Sequence, residues 1–300
     1  METGPGAQAW ARQLIEAGHA VRILPAQRVA THRSGPKNDR NDALAILRAG
    51  HDAKMVAVPV KSVQDLALQA LHRVRQGHVR RRTALGNQMR GLLIEHDIAL
   101  AKGDAALLRG VPKALDDPDT PLPDLLRQLL DDLLAEWRHI DHRIEALTAQ
   151  LHAQAKEHAR ARQLMSVRGI GPIIASALLA KQIRPERFAN ARQFAAYFGI
   201  VPDQHSSGNK VRLGRMSKRG DGYVRSLLIE GAQSVLSHVP PQSPHGDAKR
   251  AANLPPRDGG KSPGSQIRGE RHARMNPNRA KAIERLKDFV TGARRRANRC

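Results

Sequence analysis

Two aspartates three residues apart are the first candidates for chemistry. Asp39 and Asp42 stand in the segment KNDRNDALAI, residues 37–46. Because residues i and i+3 share one face of a helix, both carboxylates could reach one hard divalent cation. Two-metal phosphoryl transfer needs three or four such groups. Taken alone, the spacing favours a simpler interpretation, in which Asn38 or Asp39 caps a helix and acids in its first turn interact with the helix dipole.

A pair of serines in a basic segment could supply a nucleophile. The motif HSSG places Ser206 and Ser207 beside Gly208. Residues 210–229 then contain six basic residues and one acid, and guanidinium groups would stabilise the charge that develops when a hydroxyl attacks a phosphodiester. No neighbouring base is evident, and a loop serine more often caps a turn. The residues alone therefore favour a structural role over catalysis.

The segment LMSVRGIGPIIASALLAKQI, residues 164–183, has the pattern of a helix-hairpin-helix. Gly169 and Gly171 permit a tight turn and would present amide groups to a phosphate oxygen. Pro172 suits the first turn of the following helix, where its missing donor costs nothing. Such a hairpin binds the DNA backbone without reading bases. The alternative is an ordinary glycine-containing turn between two helices.

The composition points to a polyanionic partner and excludes several classes. Fifty Lys and Arg against 28 Asp and Glu give a net charge of +22, which counterion release from nucleic acid would convert into affinity. The alternative is a solvated basic surface. The single cysteine, Cys300, excludes a disulfide framework and a multi-cysteine zinc site within one chain. No apolar run reaches the ~18 residues of a membrane span, and the absence of a secretory leader predicts a cytoplasmic location.

The elements that must position these residues begin with a short α/β segment, residues 1–60. A helix-compatible stretch ends at Gly18, residues 20–26 read as a strand, and a second helix starts near Asn38. A single strand cannot form a sheet. The remaining strands are therefore expected elsewhere in the chain or before Met1.

The middle of the chain predicts a long helical arm. Residues 61–163 have apolar side chains at helical spacing, which indicates an antiparallel helical pair or coiled coil, with a proline-rich loop at 108–124 between its helices. A spacer or dimer contact is the expected role of this arm.

Residues 164–239 contain the glycine turn and the serine motif. Residues 241–300 contain 15 basic and 5 acidic residues, so a disordered basic tail is expected from residue 240 onward. The predicted fold class is mainly α with a small α/β remnant.

Taken in order, these segments resemble the DEDD transposases of bacterial insertion sequences. The resemblance rests on GHAVRILPAQRV and KNDRNDALAI near the start, and on SVRGIGP and FGIVPDQHSSGNKVRLGRMSKRGDGYVRSLLIEGA further on. It covers roughly residues 1–239. It implies a partial RNase H-like (RuvC-like) domain in residues 1–60 and a helical transposase domain with a helix-hairpin-helix in residues 164–239. It also implies strand cleavage and transfer during DNA transposition.

The resemblance assigns roles to particular residues. The acidic quartet of the family places Glu2, Asp39 and Asp42 as ligands of Mg²⁺, while its first aspartate would lie on a strand before Met1. The family's catalytic serine aligns with Ser207, and Ser206 is the alternative candidate for this role. A structured guide RNA, DNA and a homo-oligomer associated with the nucleoid are the implied partners and setting. The residues expected to contact nucleic acid are Gly169, Gly171, Lys210, Arg212, Arg215, Lys218, Arg219 and Arg225.

Residues 240–300 resemble nothing in the family, so the sequence predicts a degenerate copy of an insertion sequence. A second hypothesis is a non-enzymatic nucleic-acid-binding protein, in which the acids only cap helices. A third is a junction-resolving nuclease, which the RuvC-like segment favours but the serine motif does not.

Overall fold

Helices dominate the part of the chain that the structure, a computed structural model, describes: residues 1–183, 188–205, 207 and 212–238. The expected basic tail, Ser206 and Lys210 lie outside these residues. The described chain forms two compact units, Met1–Ala67 and a second unit that begins at Leu68. Its elements are α1 (Ala7–Glu16), α2 (Ala26–Val29), α3 (Asp39–His51), α4 (Val63–Ile94), α5 (Asp104–Asp116), α6 (Asp124–Glu157), α7 (Ala159–Met165), α8 (Pro172–Ala180), α9 (Ala191–Tyr197), β1 (Pro202–Gln204), β2 (Leu213–Met216) and α10 (Gly222–His238). Among the helices described, none is long and apolar enough to cross a membrane.

In the first unit, the segment predicted to be a strand pairs with the chain on both of its sides. The amides of Thr3 and Leu24 each donate at 2.8 Å to carbonyls of the facing segment, which makes a parallel bridge between Glu2 and Leu24. A second, antiparallel bridge joins Ile23 to Val58. The partners of this segment therefore include the start of the chain, and the pairing consists of isolated bridges rather than regular strands.

Helix α3 begins where the sequence predicts, because Asn38 caps it. The Oδ1 atom of Asn38 accepts a hydrogen bond of 2.8 Å from the amide of Asn41, and Asp39 and Asp42 occupy the first turn. Small side chains further along α3 let it pack closely on the strand segment. The core of the first unit contains Leu24, Val29, Ala45, Ala49 and Met55.

Helices α4 and α6 form an antiparallel pair. Arg75 donates to the Oγ1 atom of Thr148 at 2.7 Å, and seven residues further along α4, Arg82 pairs with Asp141. An interval of seven residues in both helices is the repeat of a coiled coil. Helix α5 packs on the same seam. The shared core contains Leu85, Met89, Leu93, Leu107, Val111, Ala114, Leu122, Leu130, Leu134, Trp137, Ile140 and Ile144.

The connection between α4 and α6 contains less loop than the sequence predicts. The expected loop at 108–124 is wrong over its first half, because α5 continues to Asp116 with Pro112 inside it. Pro112 removes one amide donor, but the burial of Val111 beside it stabilises the helix. Arg127 closes the remaining loop by donating to the carbonyls of Leu115 at 2.6 Å and Thr120 at 2.7 Å.

The rest of the second unit packs α7, α8, α9 and α10 around one core. This core also includes Ala155 of α6 and Ala161 of α7, so it extends upstream of the boundary expected at residue 164. Strands β1 and β2 pair in antiparallel fashion. The buried residues of the core are Ala155, Ala161, Ile170, Ile174, Ala175, Ala177, Leu178, Ala191, Phe194, Phe198, Ile200, Val224 and Leu228.

Candidate active site and nucleic-acid interface

Ser207 of the serine motif stands between β1 and β2 in the chain. The amide of His205, just after β1, donates to the carbonyl of Arg212, just before β2, at 2.9 Å. Ser207 is exposed. The sequence predicts a loop here, and the structure adds the two short paired strands on either side of it. The hydroxyl of Ser207 is therefore accessible to a ligand in solvent.

Exposed cations follow the serine along the hairpin. Arg212, Arg215, Lys218 and Arg219 are all exposed, and Lys210 lies outside the described residues. Arg215 stands in β2, whereas Lys218 and Arg219 stand in the loop that connects β2 to α10. Exposed cations on one small hairpin attract phosphate groups over a distance of about a Debye length. The four side chains thus form a cationic surface next to Ser207 in the chain.

Arg225 has a structural role that the sequence does not indicate. Its Nη1 atom donates to the carbonyl of Phe198 at 3.1 Å and to that of Lys218 at 3.0 Å. The side chain is half-buried and ties the loop after β2 to the end of α9. The sequence groups Arg225 with the nucleic-acid ligands because charge alone does not reveal burial.

Replacing Gly199 by alanine should destabilise the protein by about 2–3 kcal/mol. Gly199 has a φ of +66°, and a Cβ atom there would lie 2.0 Å from the carbonyl oxygen of Arg219. Both the left-handed backbone and the clash with main-chain atoms oppose a side chain. Urea unfolding measures the effect. Gly214→Ala is the control, because its Cβ would meet the carbonyl of Asp203 at an ordinary 3.4 Å; equal stabilities of the two variants would contradict the argument.

A buried hydrogen-bond chain holds the start of α10, which follows the hairpin. His72 of α4 is 3% exposed, with Nδ1 3.0 Å from the hydroxyl of Tyr223 and Nε2 3.1 Å from that of Ser176. The Ser176 hydroxyl donates to the carbonyl of Pro172 at 2.8 Å. Because a hydroxyl has one proton, Ser176 must accept from Nε2–H of His72, and Nδ1 must accept from Tyr223. The chain of bonds thus assigns the tautomer of His72.

Asp221 caps α10 and is the second part of this anchor. Its Oδ1 atom accepts from the amides of Tyr223 at 2.9 Å and Val224 at 3.0 Å, and its Oδ2 atom lies 2.5 Å from Nζ of Lys181. Burial alone would raise the pKa of Asp221, but the hydrogen bonds from Lys181 and the two amides hold it below its usual value. Asp221 was missed as a structural residue, although an aspartate just before a helix is a recognisable cap signal.

The stability of the second unit should fall as the pH is lowered from about 6.5 to 4. Burial first, and then the charges of Arg75 and Lys181, lower the pKa of His72 to about 4. The unfolded chain takes up this proton at a higher pH than the folded chain. The contribution of neutral His72 to the free energy of unfolding is therefore fully present above pH 6.5, and about 3 kcal/mol of that free energy is lost as the pH falls to about 4. Urea unfolding at several pH values measures the slope. His72→Gln should remove this pH dependence of about 3 kcal/mol from the free energy of unfolding. An unchanged slope in the variant would contradict the prediction.

The glycine turn between α7 and α8 packs against α10. Gly169 has a φ of +90°, and a Cβ atom there would lie 2.8 Å from Val235 Cγ2 and 3.0 Å from the carbonyl oxygen of Gly231. A Cβ atom at Gly171 would meet nothing within 4 Å in the described structure. The sequence predicts phosphate contact at both glycines. In the structure, the absence of a side chain at Gly169 makes room for a neighbouring helix, whereas Gly171 faces open space before Pro172.

The three predicted carboxylates all lie in the first unit. Glu2 stands in the parallel bridge, and Asp39 and Asp42 stand in the first turn of α3. Arg33 donates to Oδ1 of Asp42 at 3.2 Å. Within residues 1–183, 188–205, 207 and 212–238, no group of three or more His, Cys, Asp or Glu side chains is arranged to hold a metal ion. The structure therefore shows Asp42 paired with an arginine and does not gather the three carboxylates around one point.

Comparison with known families identifies the class of protein. Residues 2–97 match a DEDD transposase family, which implies a divalent-metal-dependent, nuclease-like active site. Residues 161–245 match the family described as Transposase IS116/IS110/IS902. The two matches cover the candidate carboxylates and the serine hairpin respectively. The protein is thus a transposase by family.

Curated relatives agree with both matches. A probable family 20 transposase of Pseudomonas aeruginosa is 44% identical over 79% of this chain and 70% of its own length. The transposase for insertion sequence element IS1111A of Coxiella burnetii is 36% identical over 80% of the chain and 66% of its length. The transposase for element IS1328 of Yersinia enterocolitica is 34% identical over 81% and 72%. The chain belongs to the IS116/IS110/IS902 family of insertion-sequence transposases, and it spans about two thirds of the length of these relatives.

Proposed function

We propose that this chain binds DNA and breaks and rejoins its strands during transposition, with Ser207 as the nucleophile. The observation that carries the proposal is the exposed Ser207, which stands between β1 and β2 and is followed in the chain by the exposed Arg212 and Arg215. A structural serine that only caps a turn has no need of such surroundings. Family membership supports the DNA substrate.

The proposed step exchanges one ester bond for another. The Oγ atom of Ser207 forms a bond to phosphorus, and the bond from phosphorus to one deoxyribose oxygen breaks. The serine proton passes to water, and the leaving oxygen takes up a proton and becomes a hydroxyl. In the joining step, a hydroxyl of another strand attacks the phosphoserine and restores the free serine. Arg212 and Arg215 would stabilise the negative charge that accumulates on the phosphoryl oxygens.

The first unit is proposed to be the RuvC-like part of the protein, with Glu2, Asp39 and Asp42 as ligands of Mg²⁺. Carboxylate oxygens are the ligands that this hard cation prefers, so the residue types suit the ion, but the described structure does not gather the three side chains around one point, and they would have to move together to bind it. When bound, Mg²⁺ would stabilise charge on the transferred phosphoryl group. The contact between Arg33 and Asp42 balances the charge of that carboxylate in the described structure, and it would have to open before Asp42 could bind a cation.

The glycine turn and the basic surface are proposed to hold the nucleic acid. We assign the turn between α7 and α8 as a helix-hairpin-helix that contacts phosphate through the amides near Gly171, and we assign Arg219 and Lys218 as backbone contacts. The net charge of +22 supports a polyanionic partner. We further propose that the protein binds a structured guide RNA, assembles as a homo-oligomer and acts at the nucleoid. These three proposals rest on the resemblance of the sequence to the family.

A non-enzymatic nucleic-acid-binding protein is the second candidate function. One observation favours it: Asp39 and Asp42 stand in the first turn of α3, where the helix dipole favours acids, and Asp42 also pairs with Arg33. In that case the basic hairpin would bind nucleic acid, and Ser207 would only form part of its turn.

A strand cleavage assay separates the two candidates. Purified protein is incubated with labelled DNA that carries the element ends, with Mg²⁺ and with RNA transcribed from the flanking region, and the reaction is quenched in detergent. A covalent protein–DNA adduct and joined products are expected, and both should disappear when EDTA replaces Mg²⁺. DNA binding without adduct or product under all these conditions would leave the non-enzymatic function.

A further inference from the structure

The outer face of α4 is basic and has no acidic residue along most of its length. From residue 66 to residue 94 the sequence contains six arginines and no Asp or Glu. Arg75, Arg82 and Arg90 are engaged within the chain, with Thr148, Asp141 and the carbonyl of Gly103. The other three, Arg73, Arg80 and Arg81, are exposed. At 100° per residue, Arg73 and Arg80 lie on the side of α4 that faces away from α6.

Two glycines on the same helix have no explanation within the described structure. Gly77 and Gly91 lie inside α4, where glycine destabilises a helix relative to alanine. A Cβ atom at either position would meet nothing within 4 Å. By contrast, a Cβ atom at Gly86 would lie 3.4 Å from Leu107 and 3.6 Å from Trp137, so close helix packing accounts for that glycine. Close approach of a partner to the outer face would account for the other two.

We propose that the outer face of α4, defined here as Arg73, Gly77, Arg80, Arg81 and Gly91, binds the phosphodiester backbone of a nucleic-acid duplex. The proposal adds a contact outside the serine hairpin and the glycine turn, and it rests on the proposed function only in requiring that the protein acts on nucleic acid. Charge complementarity selects the partner, because three exposed guanidiniums on an acid-free helix face attract a polyanion.

The dimensions of the face fit a duplex. Arg73 and Arg80 are seven residues apart, which is about 10.5 Å along the helix axis. This separation is close to the ~12 Å width of the major groove of DNA, so the two side chains can reach phosphates on both sides of one groove. Gly77 lies between them and lets the duplex approach the helix backbone. Arg81 adds a third contact on the adjoining flank.

The electrostatic surroundings of Arg81 support a positive surface that extends to α6. Burial first, and then the nearby charges of Arg143, Arg81 and His139, lower the pKa of His78. Arg143 and His139 are exposed side chains of α6. Cations from both helices therefore act together on this flank of the pair, which strengthens the attraction for phosphate.

Binding of the full chain to 30-base-pair DNA and RNA duplexes, followed by fluorescence anisotropy at several salt concentrations, tests the proposal. The variant with Arg73, Arg80 and Arg81 all changed to Gln should bind on the order of 100-fold more weakly at 0.1 M salt, and its salt slope should fall by about 2–3, since each phosphate contact contributes nearly one unit. Lys102, Arg109 and Lys113 on and beside α5, all exposed and changed to Gln together, are the control with the same change in charge.

The outcomes separate the possibilities. Weakening on one duplex type alone identifies DNA or RNA as the partner, and weakening on both identifies duplex backbone in general. Equal affinities of the two triple variants for both duplexes would overturn the proposal while leaving the proposed function intact. Absence of binding by the unchanged chain would overturn both. A change in oligomeric state without a change in affinity would mean that a second copy of the chain occupies the face, which also overturns the proposal.

A second variant tests close approach independently of charge. Gly77→Gln should raise the melting temperature by about 2–3 °C, because it replaces glycine in a helix interior by a good helix former. The same substitution should weaken duplex binding several-fold, because the new side chain keeps the backbone of the duplex away from the helix. A more stable protein with unchanged affinity would contradict the inference at Gly77.

Discussion

Replacing Ser207 by alanine should abolish strand cleavage and joining by this protein while leaving DNA binding unchanged. The substitution removes the atom that would form the bond to phosphorus, and loss of a nucleophile lowers the rate by about 10⁴-fold or more. Because Ser207 is exposed, the change removes no buried contact. A large loss of activity with normal stability is therefore expected.

The measurement is the yield of covalent protein–DNA adduct and of joined product, with anisotropy as the binding control. Ser206→Ala is the matched variant, because it changes the adjacent serine in the sequence and should retain activity. An active Ser207→Ala protein beside an inactive Ser206→Ala protein would transfer the nucleophile to Ser206. Full activity of both variants would remove serine catalysis from the mechanism.

The second large effect is expected at Asp42. Asp42→Asn should lower the cleavage rate by about 10³-fold at saturating Mg²⁺, because an amide is a poor ligand for this cation and leaves the site with one negative charge less. Stability should change little, since the pair of Asp42 with Arg33 is about one third exposed on each side and such surface pairs contribute about 0–1 kcal/mol.

Asp52→Asn is the control for Asp42→Asn. Asp52 lies in the same unit, and its carboxylate is 3.5 Å from Nε2 of His32, so the two variants remove similar surface charges. Rates are measured across a Mg²⁺ titration. If Asp42→Asn retains activity within tenfold of the unchanged protein, Asp42 serves only the first turn of α3, and the nuclease-like role of this carboxylate is refuted.

The sequence alone was sufficient to predict those features of the fold that depend on residues close together in the chain. The cap at Asn38 and the helix after it follow from residue type and position, and the apolar spacing of the arm indicates two long helices. The predicted loop at 108–124 was wrong at Pro112, because a proline usually ends a helix and here lies inside α5. In this chain, the buried side chains of α5 outweigh the loss of one hydrogen bond, and packing of that kind is not visible in a local pattern.

The candidate site shows where sequence reasoning ends. Ser207 and its basic neighbours are found from the motif, but the short strands that flank them have no alternating apolar pattern. His72 and Tyr223 are 151 residues apart, so no local pattern connects them. Charge alone also does not reveal the structural role of Arg225, because a half-buried guanidinium that donates to two carbonyls has the same sequence signature as one that faces solvent.

The opposed directions of α4 and α6 restrict how the arm can vary in length. Because Arg75 faces Thr148 and Arg82 faces Asp141, an insertion of one turn into only one helix would rotate and displace every apolar side chain beyond it away from its neighbours. A related protein with a longer or shorter arm must therefore gain or lose matched segments from both helices. The lengths of α4 and α6 can therefore change in evolution only together.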